Sequence, residues 1–576
     1  MILQALVRHY EDLSARGEIA PPGWGTVNVS YALELNEAGD LVRAVCVKTE
    51  QPSGKKTALL PQAVDNLPAP VKRTVGVEPN FLCDHSGYIL GVDNKGKPQR
   101  SLECFAACKA LHEELLAGIE TSAARALLSF FQNWKPEQAM NHPAFQDIWE
   151  DITSGGNLLF RYDGEFIHRD EAIRAAWQAH YNAIGEGPEM VCLVTGEQGS
   201  AEAVHPAIKK VQGAQSSGAA LVSFNAPAFC SYGKEQNLNA PVGKYAAFAY
   251  TSALNHLLAD REHVCRVGDN TTVVCWAEGG ERAYQDLFAG YFFGAPVKYT
   301  ERELREKTAR LLDGKPVELD EEKLDPDKPF YVLGLSPNAA RLSVRFFLRS
   351  SFGQFLKNVQ AHYDRLEITP ASDKTLSPWR LLGETVNQNS QDKSPAPNLA
   401  GAVLQAILND TPYPATLLNG VTLRIRAERK IARNRAAILK AYYLKHPHSD
   451  VPKEVLQVSL NPDSTSVPYT LGRLFSVLED IQSAANPGIN ATIKDKYFNS
   501  ASATPAVVFP ALVNLAQKHL RKLDQGLRIY QEKRLTELLG ILGEEYPTRM
   551  SLPQQGAFQL GYYHQTQKRY EKKEEN

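Results

Sequence analysis

Amide, lysine and aromatic side chains are concentrated in one connection of the sequence, residues 223–243, which reads SFNAPAFCSYGKEQNLNAPVG. Amides can pair bidentately with adenine, lysine reaches guanine or phosphate, and aromatic rings stack on unpaired bases. The connection therefore has the composition of a nucleic-acid reader or of a wedge that separates strands. Asn and Gly also favour tight turns, so an ordinary loop fits equally well and both interpretations stay open. The side chains concerned are Asn225, Phe229, Tyr232, Lys234, Gln236, Asn237 and Asn239.

A second group of residues able to bind nucleic acid is a row of arginines after residue 333. A predicted strand ends at Gly334, Ser336 can cap a helix, and Pro337 suits the first helical position. The sequence predicts that the helix beginning there aligns three guanidinium groups on one side. By itself the row also fits an ordinary amphipathic helix with solvated arginines. Its members are Arg341, Arg345 and Arg349.

A second basic cluster favours nucleic-acid binding over an ordinary amphipathic helix. Residues 421–445 carry a net charge of +7, with Glu428 as their single acid. Two arginine-rich elements with almost no interleaved acid repel themselves unless an anion neutralises them, and phosphate is the natural candidate. The phosphate-binding candidates in this cluster are Arg424, Arg426, Arg429, Lys430 and Arg433.

Catalytic motifs find little support in the sequence. It contains no P-loop, no G-x-S-x-G, no H-E-x-x-H and no complete G-x-G-x-x-G. His168 precedes Asp170 and Glu171, but a capping role for Asp170 explains that carboxylate as well. Cys104 and Cys108 lie one helical turn apart without the second pair that zinc needs, so buried thiols are the expectation. We expect no metal, no cofactor and no enzymatic activity.

Composition limits the class of protein. The chain has 576 residues, a net charge of −2, 43% hydrophobic and 22% charged residues, as expected for a globular protein of several domains. No apolar run reaches the ~20 residues of a membrane span, and the N-terminus lacks the apolar core of a signal peptide. The eight cysteines show no framework spacing, which suits a reducing compartment. We expect a protein that is neither secreted nor membrane-bound.

The elements that would position these residues divide the chain in two. Residues 1–380 mix strands and helices, with predicted hairpins at Ala38-Gly39, Asp163-Gly164 and around Gly268. Residues 381–400 are polar and proline-containing and predict a linker. Residues 401–576 repeat apolar residues every three or four positions, which predicts a helical bundle. The fold class expected is α+β, a large mixed α/β region followed by an all-α bundle.

Five blocks of the sequence carry a resemblance to a known family. They are EPNFLCDHSGYILG (78–91), the stretch from VTGEQGS to LNHLL (194–258), LGLSPNAARLSVRFFL (333–348), RIRAERKIARNRAAILKAY (424–442) and QQGAFQLGYYHQ (554–565). Together they resemble the large subunit of the type I-C CRISPR-associated surveillance complex, Cascade. Because the blocks run in order from near the start to the end, the resemblance covers essentially the whole chain.

The resemblance implies a role rather than a reaction. A large subunit of this kind inspects the protospacer-adjacent motif in duplex DNA, helps to open the duplex, holds the displaced strand and recruits a separate helicase-nuclease, while guide RNA pairing reads the target. The implied partners are guide RNA, target DNA, Cascade backbone and guide-end subunits and that nuclease, in the cytoplasm of a prokaryote. Motif reading would belong to the N-terminal region, for which Lys72, Arg73 and Asn80 join the 223–243 loop as candidates.

The resemblance also implies that the C-terminal helical part is translated a second time as a free small subunit. The methionines are Met1, Met140, Met190 and Met550, so an internal start would need a non-AUG codon, for which Val455 and Val458 are placed before the helical pattern. The sequence departs from the family pattern at Gly243, where Ser is usual, and at His85, where Asn is usual. A metal-dependent nucleic-acid enzyme and a structural scaffold that reads no bases remain the alternatives.

Overall fold

The computed structural model describes residues 2–53, 56–71, 73, 76–183, 187–268, 270–295, 297–372, 375–391, 393–396, 398–543 and 545–570. The chain divides into two compact units. Met1–Pro206 and Val222–Ala253 form the first unit, and Ala207–Leu221 and Leu254–Asn576 form the second. This division differs from the one drawn from the sequence, since residues 381–400 lie inside the second unit together with the helices that follow them.

The first unit combines strands with covering helices. Its strands are β1 (Trp24–Leu35), β2 (Leu41–Cys46), β3 (Thr49–Ser53), β4 (Lys56–Leu60), β5 (Gln62–Pro68), β6 (Cys83–His85), β7 (Asn157–Tyr162), β8 (Glu165–Phe166), β9 (Glu189–Val191) and β10 (Gln198–Ser200). Its helices are α1 (Ile2–Ala15), α2 (Ser86–Ile89), α3 (Pro98–Leu115), α4 (Ser122–Asn133), α5 (Trp149–Ile152), α6 (Glu171–Ala183) and the start of α7 (Lys244–Ala259).

One sheet organises this unit. β1 pairs antiparallel with β2 and β5 and parallel with β7, and β7 pairs antiparallel with β6 and β8. The hairpins predicted at Ala38-Gly39 and Asp163-Gly164 are confirmed, and the latter turn has positive φ at both residues. Asp170 caps α6 as predicted, because its Oδ1 accepts from the backbone N–H of Ala172 and Ile173 at 3.0 Å each.

The core of the first unit lies where helices cover this sheet. Phe130 and Phe131 of α4 pack edge-on against Phe160 of β7, with ring centroids 5.2 and 5.7 Å apart. Cys104 and Cys108 of α3 are buried in the same core, as the sequence predicts. Burial in this apolar environment raises the pKa of the Cys108 thiol well above its ordinary value.

The second unit contains a four-stranded antiparallel sheet in the order β11-β12-β15-β16. The strands of this unit are β11 (Cys265–Val267), β12 (Thr271–Ala277), β13 (Val317–Leu319), β14 (Glu322–Leu324), β15 (Pro329–Asn338) and β16 (Arg341–Ser351). The predicted hairpin between β11 and β12 is confirmed, with Cys265 opposite Val273; Asp269 of its turn lies outside the described residues. Phe330, Val332 and Phe346 point from this sheet into the core of the second unit.

The helix predicted to begin at Pro337 is wrong. Ser336 and Pro337 end β15, Ala339 takes a positive φ of 52° in the turn, and the residues that follow form β16. The physical reason is the content of LSVRFFLRSS: β-branched and aromatic residues favour a pleated, half-buried surface, and pairing with the apolar β15 supplies that surface. A four-residue spacing also keeps side chains on one face of a strand, so the arginine pattern does not distinguish the two structures.

Helices form the rest of the second unit. They are α8 (Arg282–Phe288), α9 (Glu301–Leu312), α10 (Phe352–Leu366), α11 (Pro378–Gly383), α12 (Leu399–Leu408), α13 (Ala415–Glu428), α14 (Arg433–Leu444), α15 (Val467–Ala485), α16 (Ile493–Ala503), α17 (Pro505–Leu520), α18 (Gln525–Leu542) and α19 (Leu552–Gln567). The α+β class is therefore confirmed, with helices in the C-terminal part.

The apolar repeat predicted for residues 401–576 is confirmed in these helices. Leu471, Leu474, Leu478 and Ile481 form a buried stripe on α15. The repeat between residues 512 and 542 is divided between α17 and α18, because Asp524 caps a new helix by accepting from the backbone N–H of Leu527. None of the helices in the described part of the chain combines the length and apolar character that a membrane span requires.

Candidate nucleic-acid interface

The 223–243 loop of the first unit presents a fixed turn with a fully exposed tyrosine at its tip. The backbone N–H of Lys234 donates to the Ser231 carbonyl at 3.0 Å, and the two residues between them have positive φ, 55° for Tyr232 and 70° for Gly233. A non-glycine residue with positive φ is uncommon, more so when it is bulky. The Tyr232 side chain is 100% exposed. The turn therefore holds an aromatic ring away from the protein in a conformation that its own packing does not stabilise.

One of the loop's amides, Asn239, stabilises this turn, and another, Asn237, is buried. Asn239 accepts from the Ser231 backbone N–H at 2.8 Å and donates to the carbonyls of Lys234 and Gln236 at 3.0 and 2.9 Å. Asn237 is only 3% exposed, and its backbone N–H bonds the Ala203 carbonyl. Turn chemistry thus accounts for the Asn239 amide, whereas the Asn237 side chain is withdrawn from solvent by burial.

The remaining candidates of the loop lie at its surface. Asn225, Lys234 and Gln236 are exposed, and Phe229 is 42% exposed. Gly243 provides the first carbonyl bonded by α7, and a Cβ there would lie 3.5 Å from the Cys192 Cβ. The serine usual in the family would therefore fit this position. The loop presents two aromatic rings, one ammonium group and two amides to solvent.

The second set of candidates forms an ion-pair network instead of a free surface. Lys72 lies outside the described residues. Arg73 bonds both carboxylate oxygens of Asp84 and the Glu78 carbonyl, and its guanidinium lies 4.0 Å from the ring centroid of Tyr88. Although burial opposes its charge, the Asp84 contact raises the pKa of Arg73. The guanidinium is thus already neutralised by a carboxylate that is 1% exposed.

Asn80 belongs to the same network. Its Oδ1 accepts from the Val71 backbone N–H at 2.9 Å, and its own N–H donates to Asp84. His85 caps α2 through its Nδ1, and burial lowers its pKa. Asp84, which bonds both Arg73 and Asn80, is not among the residues predicted from the sequence; its four-residue spacing from Asn80 is the signal that indicates it.

The arginines of β16 lie on the edge strand of the second unit's sheet. Gly334 pairs with Phe346 and Leu335 with Val344, so Arg345 is the extra residue of a β-bulge. Its Nη1 donates to Asn398 Oδ1 at 2.7 Å. Arg349 lies 5.8 Å from the ring centroid of Tyr331. Arg341 is half-buried and bridges to Ala220 through its backbone. The three groups are therefore engaged differently and do not form one aligned row.

The second basic cluster converges at the tip of a helical hairpin made by α13 and α14. Arg424 and Arg426 lie near the end of α13, Arg429 closes it with a positive φ of 52°, Lys430 follows in the connection, and Arg433 begins α14. Within the described residues, no side-chain hydrogen bond or ion pair is made by the first four. Arg433 donates through its Nε to the Pro370 carbonyl at 2.6 Å.

Other charges of the segment are neutralised within the protein. Arg435 is buried and pairs with Glu384 at 3.1 Å and Glu428 at 2.7 Å, and Lys445 pairs with Asp410. Lys440 is buried, which lowers its pKa. A cation at the N-terminus of α14 is unfavourable because the helix dipole is positive there, whereas an anion is favoured. The basic side chains of the hairpin tip, Arg424, Arg426, Arg429, Lys430 and Arg433, therefore make no ion pair with the residues that the structure describes and suit phosphate; we call them the basic tip.

The described residues contain no candidate metal site of the usual ligand types. Among the residues that the structure describes, no cluster of three or more His, Cys, Asp or Glu side chains could hold a metal ion.

The first unit thus carries an exposed aromatic turn at Tyr232, and the second unit carries the basic tip. A family model described as CRISPR-associated protein (Cas_Csd1) matches residues 6–570. The chain belongs to this family and is a component of a CRISPR-associated complex of the Cascade type, in which it works with other Cas subunits. No curated protein matches the chain.

Proposed function

We propose that the chain is the large subunit of a type I-C Cascade, which recognises the protospacer-adjacent motif in double-stranded DNA and helps to open the duplex. The observation that carries the proposal is the Tyr232 turn. Strained backbone conformations persist where the surroundings hold them and are common at functional sites. Asn239 holds this one, while the ring itself gains no packing in the chain. A ring fixed in this way can stack on a base or enter between two base pairs.

The neighbours of Tyr232 supply the chemistry of motif reading. Gln236 can pair with adenine, and Lys234 can bond guanine or phosphate. Both are exposed on the same short segment as Tyr232. Arg73 and Asn80 support reading only indirectly, because both are bonded within the Asp84 network.

The basic tip would hold phosphates of the displaced strand, with Arg341 and Arg349 as additional candidates. The cations of the basic tip, which make no ion pair with the described residues, recover the cost of their mutual repulsion when phosphates neutralise them. DNA cleavage is assigned to a separate helicase-nuclease that the assembled complex recruits in antiviral defence in the prokaryotic cytoplasm. Guide RNA and the Cascade backbone and guide-end subunits are the other proposed partners.

The test is binding of the assembled guide complex to matched duplexes with randomised flanking trinucleotides at fixed salt. Complexes with the chain should prefer a subset of flanks, and those without it should not. Tyr232→Ala should weaken binding of duplex DNA but not of a target that is already open, because the ring acts in opening. Gln236→Ala and Lys234→Ala should relax the flank preference by ~5–100-fold, the value of a good base contact.

Matched controls separate this from general damage. Tyr570 is 75% exposed and Lys315 lies in an exposed turn paired with Asp313; Tyr570→Ala and Lys315→Ala should change neither quantity. No flank preference even with the intact chain would leave only the structural scaffold. DNA cleavage by the purified chain that disappears with chelator would instead establish the metal-dependent enzyme.

A further inference from the structure

A cavity of the second unit lies directly beside the basic tip and has no role in the function proposed above. Its volume is about 490 Å³, and Arg433, the last member of the tip, forms part of its wall. This volume falls within the range of small-molecule sites, about 300–1,000 Å³. Other lining groups are Tyr291, Arg305, Gln360, Tyr363, Asp364, Glu367 and Thr369.

The cavity walls are held by hydrogen bonds. The Tyr291 hydroxyl donates to Gln360 Oε1, and Gln360 Nε2 donates to Asp364 Oδ1 at 2.6 Å. The Tyr363 hydroxyl bonds the backbone carbonyls of Tyr291 and Phe292 at 3.1 Å each. On the opposite side, the Tyr563 hydroxyl bonds the Thr369 carbonyl at 2.7 Å. The shape is therefore present before any ligand binds, which lowers the ordering cost of binding.

Charges of both signs line the cavity. Arg433 and Arg305 are cationic, with Arg305 also paired with Glu301 at 3.0 Å and bonded to Thr375 at 2.7 Å, and Asp364 and Glu367 are carboxylates at the end of α10 and just beyond it. The Glu367 side chain accepts no hydrogen bond within the described residues. Lys440 is buried near both carboxylates and is attracted to them, which offsets their negative charge. The cavity thus offers acceptor oxygens at its exposed wall without excluding a polyanion.

This arrangement matches one nucleotide of a single strand. Guanidinium groups bind its phosphate, tyrosine and aliphatic groups contact its base, and carboxylates accept from the amino group of cytosine, or from the N–H groups of guanine. We propose that the cavity takes one unstacked base of the displaced DNA strand whose phosphates lie on the basic tip, with a preference for a base that carries an amino group. This inference rests on the proposed function and adds a base-binding site to it.

The displaced strand is the expected source of the bound nucleotide because its bases have lost their partners, whereas the guide RNA bases that read the target are paired with the target strand. A second source of the same chemistry is a free nucleotide. A third is the guide RNA outside its paired segment. The experiment separates the three.

The test uses the assembled complex on target duplexes in which single positions of the displaced strand carry a photoreactive 5-iodo pyrimidine. Mass spectrometry of the cross-linked peptides should locate one position, or two adjacent ones, on the peptides that carry Tyr291 or Tyr363. Arg305→Gln together with Arg433→Gln should lower that cross-link at least about fivefold, as expected for loss of a bidentate contact. Arg302→Gln is the matched control, since Arg302 is on the same helix, 89% exposed in its side chain, and does not line the cavity.

Base preference gives the second measurement. Glu367→Gln should reduce the preference for cytosine over thymine at the located position, because an amide can both donate and accept where a carboxylate only accepts. Three results would each overturn the inference. The first is cross-linking from the guide RNA alone, and the second is competition by free cytidine monophosphate at micromolar concentration. The third is the absence of a cavity cross-link in a complex that still binds target with flank preference. The last result would leave the proposed function intact, whereas loss of all flank preference would contradict that function first.

Discussion

At the scale of single residues, His263 of the second unit is a buried histidine held between two carboxylates. Its Nδ1 and Nε2 lie 2.6 Å from carboxylate oxygens of Asp260 and Asp286, and its side chain is 2% exposed. Although burial opposes the charged form, the hydrogen bonds to the two carboxylates raise the pKa of His263 to about 9. Since the folded pKa exceeds the unfolded value near 6.5, the charged histidine stabilises the fold fully below pH 6.5, and this contribution disappears as the pH rises through about 9.

We expect His263→Gln to lower the free energy of unfolding by about 2–3 kcal/mol at pH 6 and by little at pH 10, because the pKa difference corresponds to that order of energy. Hydrogen–deuterium exchange at the histidine C2 position, followed by mass spectrometry, measures the pKa of His263 directly. His564 serves as the internal control, since burial lowers its pKa to about 4. A His263 pKa at or below 6.5 would contradict the predicted stabilisation of its charged form by Asp260 and Asp286.

The amides of the 223–243 loop show how far sequence reasoning reaches at this scale. Composition predicted both a nucleic-acid reader and a tight turn, and the structure assigns Asn239 to the turn, buries Asn237 and exposes Tyr232, Lys234 and Gln236. Side-chain type gives hydrogen-bonding capacity but not the partner that uses it. Which of these amides bonds the backbone and which is buried is set by the folded loop.

At the scale of elements, β15 and β16 show which structural features follow from local sequence and which depend on tertiary contacts. The hairpins around Ala38-Gly39 and Asp163-Gly164 follow from local turn chemistry and were predictable. The helix predicted after Pro337 failed because its capping signals are local, whereas the strand is stabilised by a partner and by burial beneath helices that come later in the chain. The arginines at 341, 345 and 349 were found by their spacing, but their separate contacts with Ala220, Asn398 and Tyr331 depend on that tertiary structure.

The bulge in this hairpin gives a prediction about packing. A Cβ on Gly334 would lie 2.5 Å from the Phe346 ring, so the aromatic side chain crosses the strand over the glycine. We expect Gly334→Ala to lower the free energy of unfolding by about 1–3 kcal/mol, the usual cost of overpacking. Urea unfolding of the variants measures it. Combining Gly334→Ala with Phe346→Leu should restore part of the loss, as a double-mutant cycle reveals.

Gly199→Ala is the matched control for that change. Gly199 also lies in a strand, does not have a positive φ, and a Cβ there would meet nothing within 4 Å. It should leave the free energy of unfolding unchanged or raise it slightly, since alanine restricts the unfolded chain more than glycine does. Equal effects of Gly199→Ala and Gly334→Ala would show that backbone entropy, and not the Phe346 ring, sets the cost.

At the scale of the whole molecule, the helices from α15 to α19 pack closely on one another within the larger core of the second unit. α15 and α19 approach so closely that a Cβ on Gly472 would lie 1.9 Å from the Phe558 carbonyl oxygen, and one on Gly561 would lie 2.1 Å from the Tyr469 carbonyl oxygen. Phe475 of α15, Phe498 of α16 and Phe558 of α19 meet edge-on with ring centroids 5.8 to 5.9 Å apart. These contacts are complete within the last 110 residues or so, as an independent helical subunit requires.

This close packing of the C-terminal helices supports the prediction that an internal start near Val455 or Val458 yields a free small subunit of about 120 residues. Both valines precede α15, and Val455 is buried in the full chain. We expect intact-mass analysis of the purified complex to show that species beside the full chain. Synonymous valine codons that do not initiate translation should remove the small species without changing the full-length protein. A fully assembled complex of the unaltered gene that lacks the small species would exclude the internal start. If the species is present, its exposed α19 surface around Gly556, which Tyr443 of α14 covers in the full chain, should become protected from hydrogen exchange when the small subunit joins the complex.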